Sequence, residues 1–199
     1  MANPAVGLLE FSSIARGIVS GDAMVKRAPV ASAYAGTVHP GKYLVLVAGD
    51  TASVEEAMAA GREVGAGMVL DAVFLADIHP DVVTAMLNED PTRPESGEAL
   101  GVVETSTTSA VIDAADAGVK AADVAVGQLR LSDGLGGKGY VLFSGVVADV
   151  EAAVDAAVVR AGSQLVESAV IASLHEEIAD NLWTAARFLE RIHTHEVGA

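Results

Sequence analysis

The sequence predicts an α/β fold of sandwich type, helices laid over a sheet, built twice in tandem. Three observations predict it. The chain repeats its own landmarks in order, a polar segment with two prolines separates the copies, and short apolar runs alternate with segments of helical spacing in each copy.

The repeat is a straight duplication. Ala5-Val6-Gly7-Leu8-Leu9-Glu10-Phe11-Ser12 returns as Ala99-Leu100-Gly101-Val102-Val103-Glu104-Thr105-Ser106, and Asp22-Ala23-Met24-Val25-Lys26 returns as Asp116-Ala117-Gly118-Val119-Lys120, both at an offset of 94. Two extra residues then enter, and Gly41-Lys42, Gly49, Val54-Glu55 and His79 find Gly137-Lys138, Gly145, Val150-Glu151 and His175 at an offset of 96. The expected division is a first domain over residues 1–87, a linker over 88–98, a second domain over 99–183 and a helical extension over 184–199. A unit of about 85 residues buries only about 60% of its unfolded surface and is marginal alone, so the copies are expected to pack on each other.

Within each copy the expected order is strand, helix, two strands, helix, strand, helix. Residues 6–11 form an apolar run suited to a strand buried on both faces. The next segment turns to helical spacing, with Ile14, Ile18 and Val25 as the core stripe and Gly21 as a point of close approach. Strands are expected at 43–47 and 140–147. Ser53-Val54-Glu55-Glu56 has the form of a capping box opening a helix through Ala57, Ala60 and Val64, with Asp149 as the equivalent cap in the second copy. Strands at 68–76 and 165–172 follow. A helix from about residue 174, with Ile178, Leu182, Ala185 and Leu189 at helical spacing, is read as an extension without a counterpart in the first copy, packed on its own fold.

Composition removes several function classes. Lys+Arg 12 against Asp+Glu 27 gives a net charge of −15 and a pI near 4.5, which offers no basic footprint to nucleic acid or to anionic lipid. Mean hydropathy is +0.42, yet the longest stretch without a charged residue, residues 28–41, contains two prolines and a histidine, so no membrane span is expected. The first eleven residues lack a basic region and carry Glu10, which does not fit a secretory signal; the expectation is a cytoplasmic protein. With no cysteine, disulfides, thiolate zinc sites and cysteine-ligated clusters are excluded. Many small apolar residues and 4% aromatics suit close packing between subunits.

These landmarks resemble the bacterial microcompartment shell domain. The matching features are the strand Gly-Leu-Leu-Glu or Gly-Val-Val-Glu, the helix Asp-Ala-x-Val-Lys-x-Ala, Pro-Gly-Lys or Gly-Gly-Lys before a strand ending in Gly, and a helix opening Val-Glu. They occur in order, twice, across residues 5–183. Two copies in one chain are similar to the tandem class of shell protein. The resemblance implies a ferredoxin-like variant fold, a homotrimer shaped as a pseudohexagonal tile, and a central pore for a small polar metabolite or a larger cofactor. It implies assembly with other shell proteins around encapsulated enzymes, and a structural rather than catalytic role. It further implies that the loop before the third strand lines the pore, which gives His39, Pro40 and Gly41 from one copy and Leu135, Gly136 and Gly137 from the other. Lys26 and Lys120 fall on a lysine found at tile edges; the arginine that often accompanies it is replaced by Asp77 and Ser173. In the propanediol-utilisation type the position of His39 is a cysteine holding an iron–sulfur cluster; histidine here implies no such cluster, and no cofactor is expected.

The residues themselves leave alternatives. Three copies of His39 on a three-fold axis could coordinate Zn²⁺ or Fe²⁺, since imidazole is a good ligand and three is a common count; the simpler reading is a ring of polar side chains facing water. Imidazole changes charge near neutral pH, so either ring would make the pore field depend on pH. His79 and His175 stand at equivalent turns and are expected to hydrogen-bond backbone. The Gly-rich residues 133–139 lack the spacing of a phosphate loop and suit a tight turn. His193 and His195 lie near the C-terminus and are expected in a frayed tail. No catalytic constellation is found, and carboxylates such as Glu55, Glu56, Asp155 and Glu176 fall on outer helix faces. The rival to the tile is a trimeric ligand-binding or regulatory module that forms no shell. An enzyme built on a three-histidine metal site is a third reading.

Overall fold

The computed structural model describes residues 4–87 and 99–184. The first half runs β1 (Ala5–Phe11), α1 (Ile14–Arg27), β2 (Ser32–Val38), β3 (Lys42–Gly49), α2 (Thr51–Val64), β4 (Val69–Leu75) and α3 (Pro80–Leu87). The second runs β5 (Ala99–Thr105), α4 (Thr108–Ala121), β6 (Ala125–Leu131), β7 (Gly139–Gly145), α5 (Val147–Ala161), β8 (Leu165–Ile171) and α6 (Glu176–Thr184). Each half makes one antiparallel four-stranded sheet, ordered β2-β3-β1-β4 and β6-β7-β5-β8. The registers repeat as well, with Ala5 opposite Gly49 and Ala99 opposite Gly145.

β1 is buried along its whole length because both of its faces are covered. Ala5, Leu9 and Phe11 meet Met24 of α1 and Val54, Ala57 and Met58 of α2, while Val6 and Leu8 turn to the opposite face with Ile78 and Val82. Gly7 is required by this closeness. A Cβ there would lie 2.6 Å from Met58 Cγ, and one at Gly101 would lie 2.7 Å from Val154 Cγ2. The duplicated Gly in the strand motif is the point where α2, or α5, lies against the sheet.

The two halves share one core. Val73 and Leu75 of β4 join Val111, Ile112 and Ala115 of α4 in a continuous buried cluster, and α3 packs against β6. The second half therefore caps the first with its leading helix.

The structure corrects several local expectations. Ile14, Ile18 and Val25 are 41%, 52% and 45% exposed; the core face of α1 is Gly17, Ser20 and Met24. The reason is proximity, since a Cβ at Gly17 would lie 2.6 Å from the Tyr43 ring, leaving no room for a larger stripe. Helix α2 begins two residues before the expected box. Asp50 is its N-cap, accepting from the Ser53 N–H at 3.0 Å, and its buried face is Val54, Ala57, Met58 and Gly61. Asp149 caps nothing: the N-cap of α5 is Val146, and Asp149 lies in the first turn. The strand expected at 140–147 ends at Gly145, because α5 starts at Val147. Helix α6 is the counterpart of α3 and not an unmatched extension, with Leu182 and Trp183 laid on Leu100 and Leu142. Ala185, Leu189, His193, His195 and the linker lie outside the described residues.

Candidate functional site

The loop of residues 39–41 follows β2, and that of residues 132–138 follows β6. The two extra residues of the second copy fall here, between strands whose registers coincide next to the loops; farther along, β6 carries a bulge between Val126 and Gln128 that β2 lacks. The first loop is a tight turn closed by the Gly41 N–H on Val38 O at 2.9 Å, with a cis His39–Pro40 bond and Gly41 at φ +104°. The second carries positive φ at Gly134, Gly136 and Gly137. Ser132 Oγ ties it by donating to Gly137 O at 3.1 Å and by a contact with Thr108 Oγ1. A run of left-handed residues explains the glycines better than a phosphate cradle does.

The fold sets these two loops side by side. His39 Nδ1 lies 3.2 Å from Asp133 Oδ1, both side chains exposed. Beneath them Lys42 spans the junction: its ammonium donates to Glu10 Oε1 at 2.6 Å, to Gly137 O at 3.3 Å and to Ser106 O at 3.4 Å. Glu10 is fully buried, and its other oxygen accepts the Thr108 N–H at the start of α4 at 2.9 Å. A buried carboxylate is tolerable here because both oxygens are engaged, one of them by a charge. Thus His39, Pro40 and Gly41 are brought together with the loop of Leu135, Gly136 and Gly137. The sequence reading named these loops but missed Glu10, Lys42 and Asp133 as the groups that join them. The signal was present: a carboxylate inside an apolar strand, repeated as Glu104, and a lysine after the loop, repeated as Lys138.

The two expected edge lysines differ. Lys26 is exposed and pairs with Asp22, at 2.6 Å. Lys120 lies at the junction inside the chain, where it bonds Asp116 Oδ2 at 2.6 Å and Asp77 O, while Asp116 Oδ1 accepts the His79 N–H at 2.8 Å. Thr107 Oγ1 reaches Asp71 Oδ2 across the same junction. His79 and His175 act as expected, each Nδ1 accepting a backbone N–H at 3.3 Å, from Asp81 and Glu177, at the start of the following helix. Tyr140 donates to Gln128 Oε1 at 2.7 Å, and burial pushes its phenol above the usual 10.0.

A cysteine-ligated iron–sulfur cluster does not fit this loop pair, because the chain has no cysteine to hold one. Among the described residues of one chain, no three His, Cys, Asp or Glu side chains are grouped to hold a metal ion. No helix among them is long and apolar enough to cross a membrane.

A duplicated sandwich whose halves set two short loops together defines a class of tandem-unit protein, and comparison with known proteins says which. The BMC domain matches residues 5–78 and 99–174, once per half. The chain is 39% identical to the bacterial microcompartment shell protein PduT of Citrobacter freundii over 178 residues, 87% of this chain and 95% of that one. A solved microcompartment protein of Desulfitobacterium hafniense shares 41% identity at a TM-score of 0.76, covering 89% of this chain and 98% of its own. The fused permuted hexameric shell protein of the RMM microcompartment is more distant, at 26% identity and a TM-score of 0.59, with 79% and 83% covered. The chain belongs to the BMC-domain family of bacterial microcompartment shell proteins, and its role is that of a structural shell component.

Proposed function

We propose that three copies of this chain close into a pseudohexagonal tile whose central pore is ringed by His39, Pro40 and Gly41 alternating with Leu135, Gly136 and Gly137. The observation that carries this reading is the strapping of the two loops by Lys42 and by the His39–Asp133 contact. Two of six like units already stand in one chain, and a head-to-tail interface that closes makes a ring. The tile has no catalytic role. It joins other shell proteins in a cytoplasmic microcompartment and passes a small polar metabolite, selected by pore width and lining groups. Family membership favours this over a free regulatory trimer.

One observation favours a second reading of the pore, in which three His39 side chains hold a divalent cation: a carboxylate beside Nδ1 is the usual way a ligating imidazole is oriented. A native mass spectrum tests both. The tile requires a species at three times the 20.2 kDa chain mass, and a monomer or dimer refutes it. Added mass of one metal per three chains would make His39 a ligand; bare protein leaves it a polar lining group.

A further inference from the structure

The two units differ in one hollow. In the second unit, α6 closes the sheet face that carries Leu100 and Leu142: Trp183 packs on both, Ala179 and Leu182 flank them, and Trp183 is only 9% exposed. At offsets of 94 and 96, the counterparts of these five residues in the first unit are Val6 for Leu100, Leu46 for Leu142, Leu87 for Trp183, Val83 for Ala179 and Met86 for Leu182. All five counterparts line a cavity of about 610 Å³. Leu87, standing where Trp183 stands, is 76% exposed, so the place that an indole fills in one unit is open in the other.

The cavity has the character of a ligand site. Its volume lies within the range of about 300–1,000 Å³ that small-molecule sites occupy, and its walls are mostly apolar. Water gains little there, because an ordered water needs several polar partners. Ser32, Tyr34 and Asp50 supply the polar part of the lining. Tyr34 is 64% exposed, which leaves its ring free to stack on a second aromatic group. Among the described residues no lysine or arginine lines the cavity, Asp50 does, and the chain carries a net charge of −15, all of which disfavour an anion.

We propose that this cavity binds a planar, uncharged aromatic ring system of the size of an indole, in the place that Trp183 fills in the second unit. The twin site supplies the ligand's shape and polarity, since the same framework of strand and helix positions already holds one such ring. This site stands apart from the tile reading, because every lining residue belongs to one chain.

Titration of the full chain with 5-fluoroindole, read by broadening of its fluorine NMR signal, tests the site. Wild type is expected to bind saturably with a Kd below about 1 mM, a modest demand on so small a ligand. Leu87→Trp supplies the ring from the chain itself, at an exposed position that leaves the fold intact by circular dichroism. Ala48→Trp fills the same cavity from β3. Each substitution is expected to weaken binding about tenfold or more, the scale set by losing a single well-placed contact surface. Unlabelled indole should displace the probe, and the anion indole-3-carboxylate should do so about tenfold less well. No saturable binding by wild type overturns the proposal and means that another copy or the chain's own ends close the cavity. Binding that survives both substitutions overturns the location, and an anion that competes as well as indole overturns the ligand class.

Discussion

Removing the Lys42 ammonium strands a buried charge, which makes its cost calculable. Glu10 is fully buried and the Lys42 side chain is 17% exposed, whereas in the repeated pair Glu104 and Lys138 are 33% and 51% exposed. Loss of one partner from a buried pair costs about 3–5 kcal/mol. Glu10 keeps its bond from the Thr108 N–H, so Lys42→Met falls at the low end, about 3 kcal/mol. The exposed pair contributes about 1 kcal/mol or less, which sets the cost of Lys138→Met. Urea unfolding of both variants at one fixed protein concentration keeps any effect of association equal between them. At a slope of about 2 kcal/mol per molar, Lys42→Met lowers the midpoint by about 1.5 M and Lys138→Met by about 0.5 M or less. Adding Glu10→Gln to Lys42→Met recovers part of the loss, because an amide is cheaper to bury than an unpaired carboxylate. Equal midpoints for the two lysine variants would refute burial as the source of the difference.

Gly101→Ala forces a methyl to 2.7 and 2.8 Å from the stiff Val154 and Val150, and is expected to destabilise by about 1–3 kcal/mol in the same assay. Gly7→Ala meets the flexible Met58 first and costs less. Asp50 is held below its usual 3.8 by hydrogen bonds from Ser53, backbone then side chain, so its contribution to stability is present above that value and fades as pH falls below it. Asp50→Ala should therefore lower the melting temperature at pH 7, and the gap to wild type should close toward pH 3.

Much of the fold was legible because its signals are local or repeated. The duplication, the strand and helix order and the two loops follow from ordered landmarks, glycine placement and apolar periodicity. The site was legible only in part. His39 and the glycines of both loops stand out in the sequence, but their meeting depends on the packing of one half on the other, and nothing in the chain order pairs His39 with Asp133 across 94 residues.

The amino-acid sequence by itself determined that this protein is two like sandwiches, acidic, cysteine-free and built on shell-domain landmarks. Tertiary structure alone decided which face α1 buries. Helix α1 lies so close to Tyr43 that a glycine is needed at position 17, and Met24 fills the core face beside it, while Ile14, Ile18 and Val25 face outward. The same positions on α4 are buried because a second unit stands against them. Periodicity finds an apolar stripe; whether that stripe faces its own sheet or a neighbour is set by how near the backbones come.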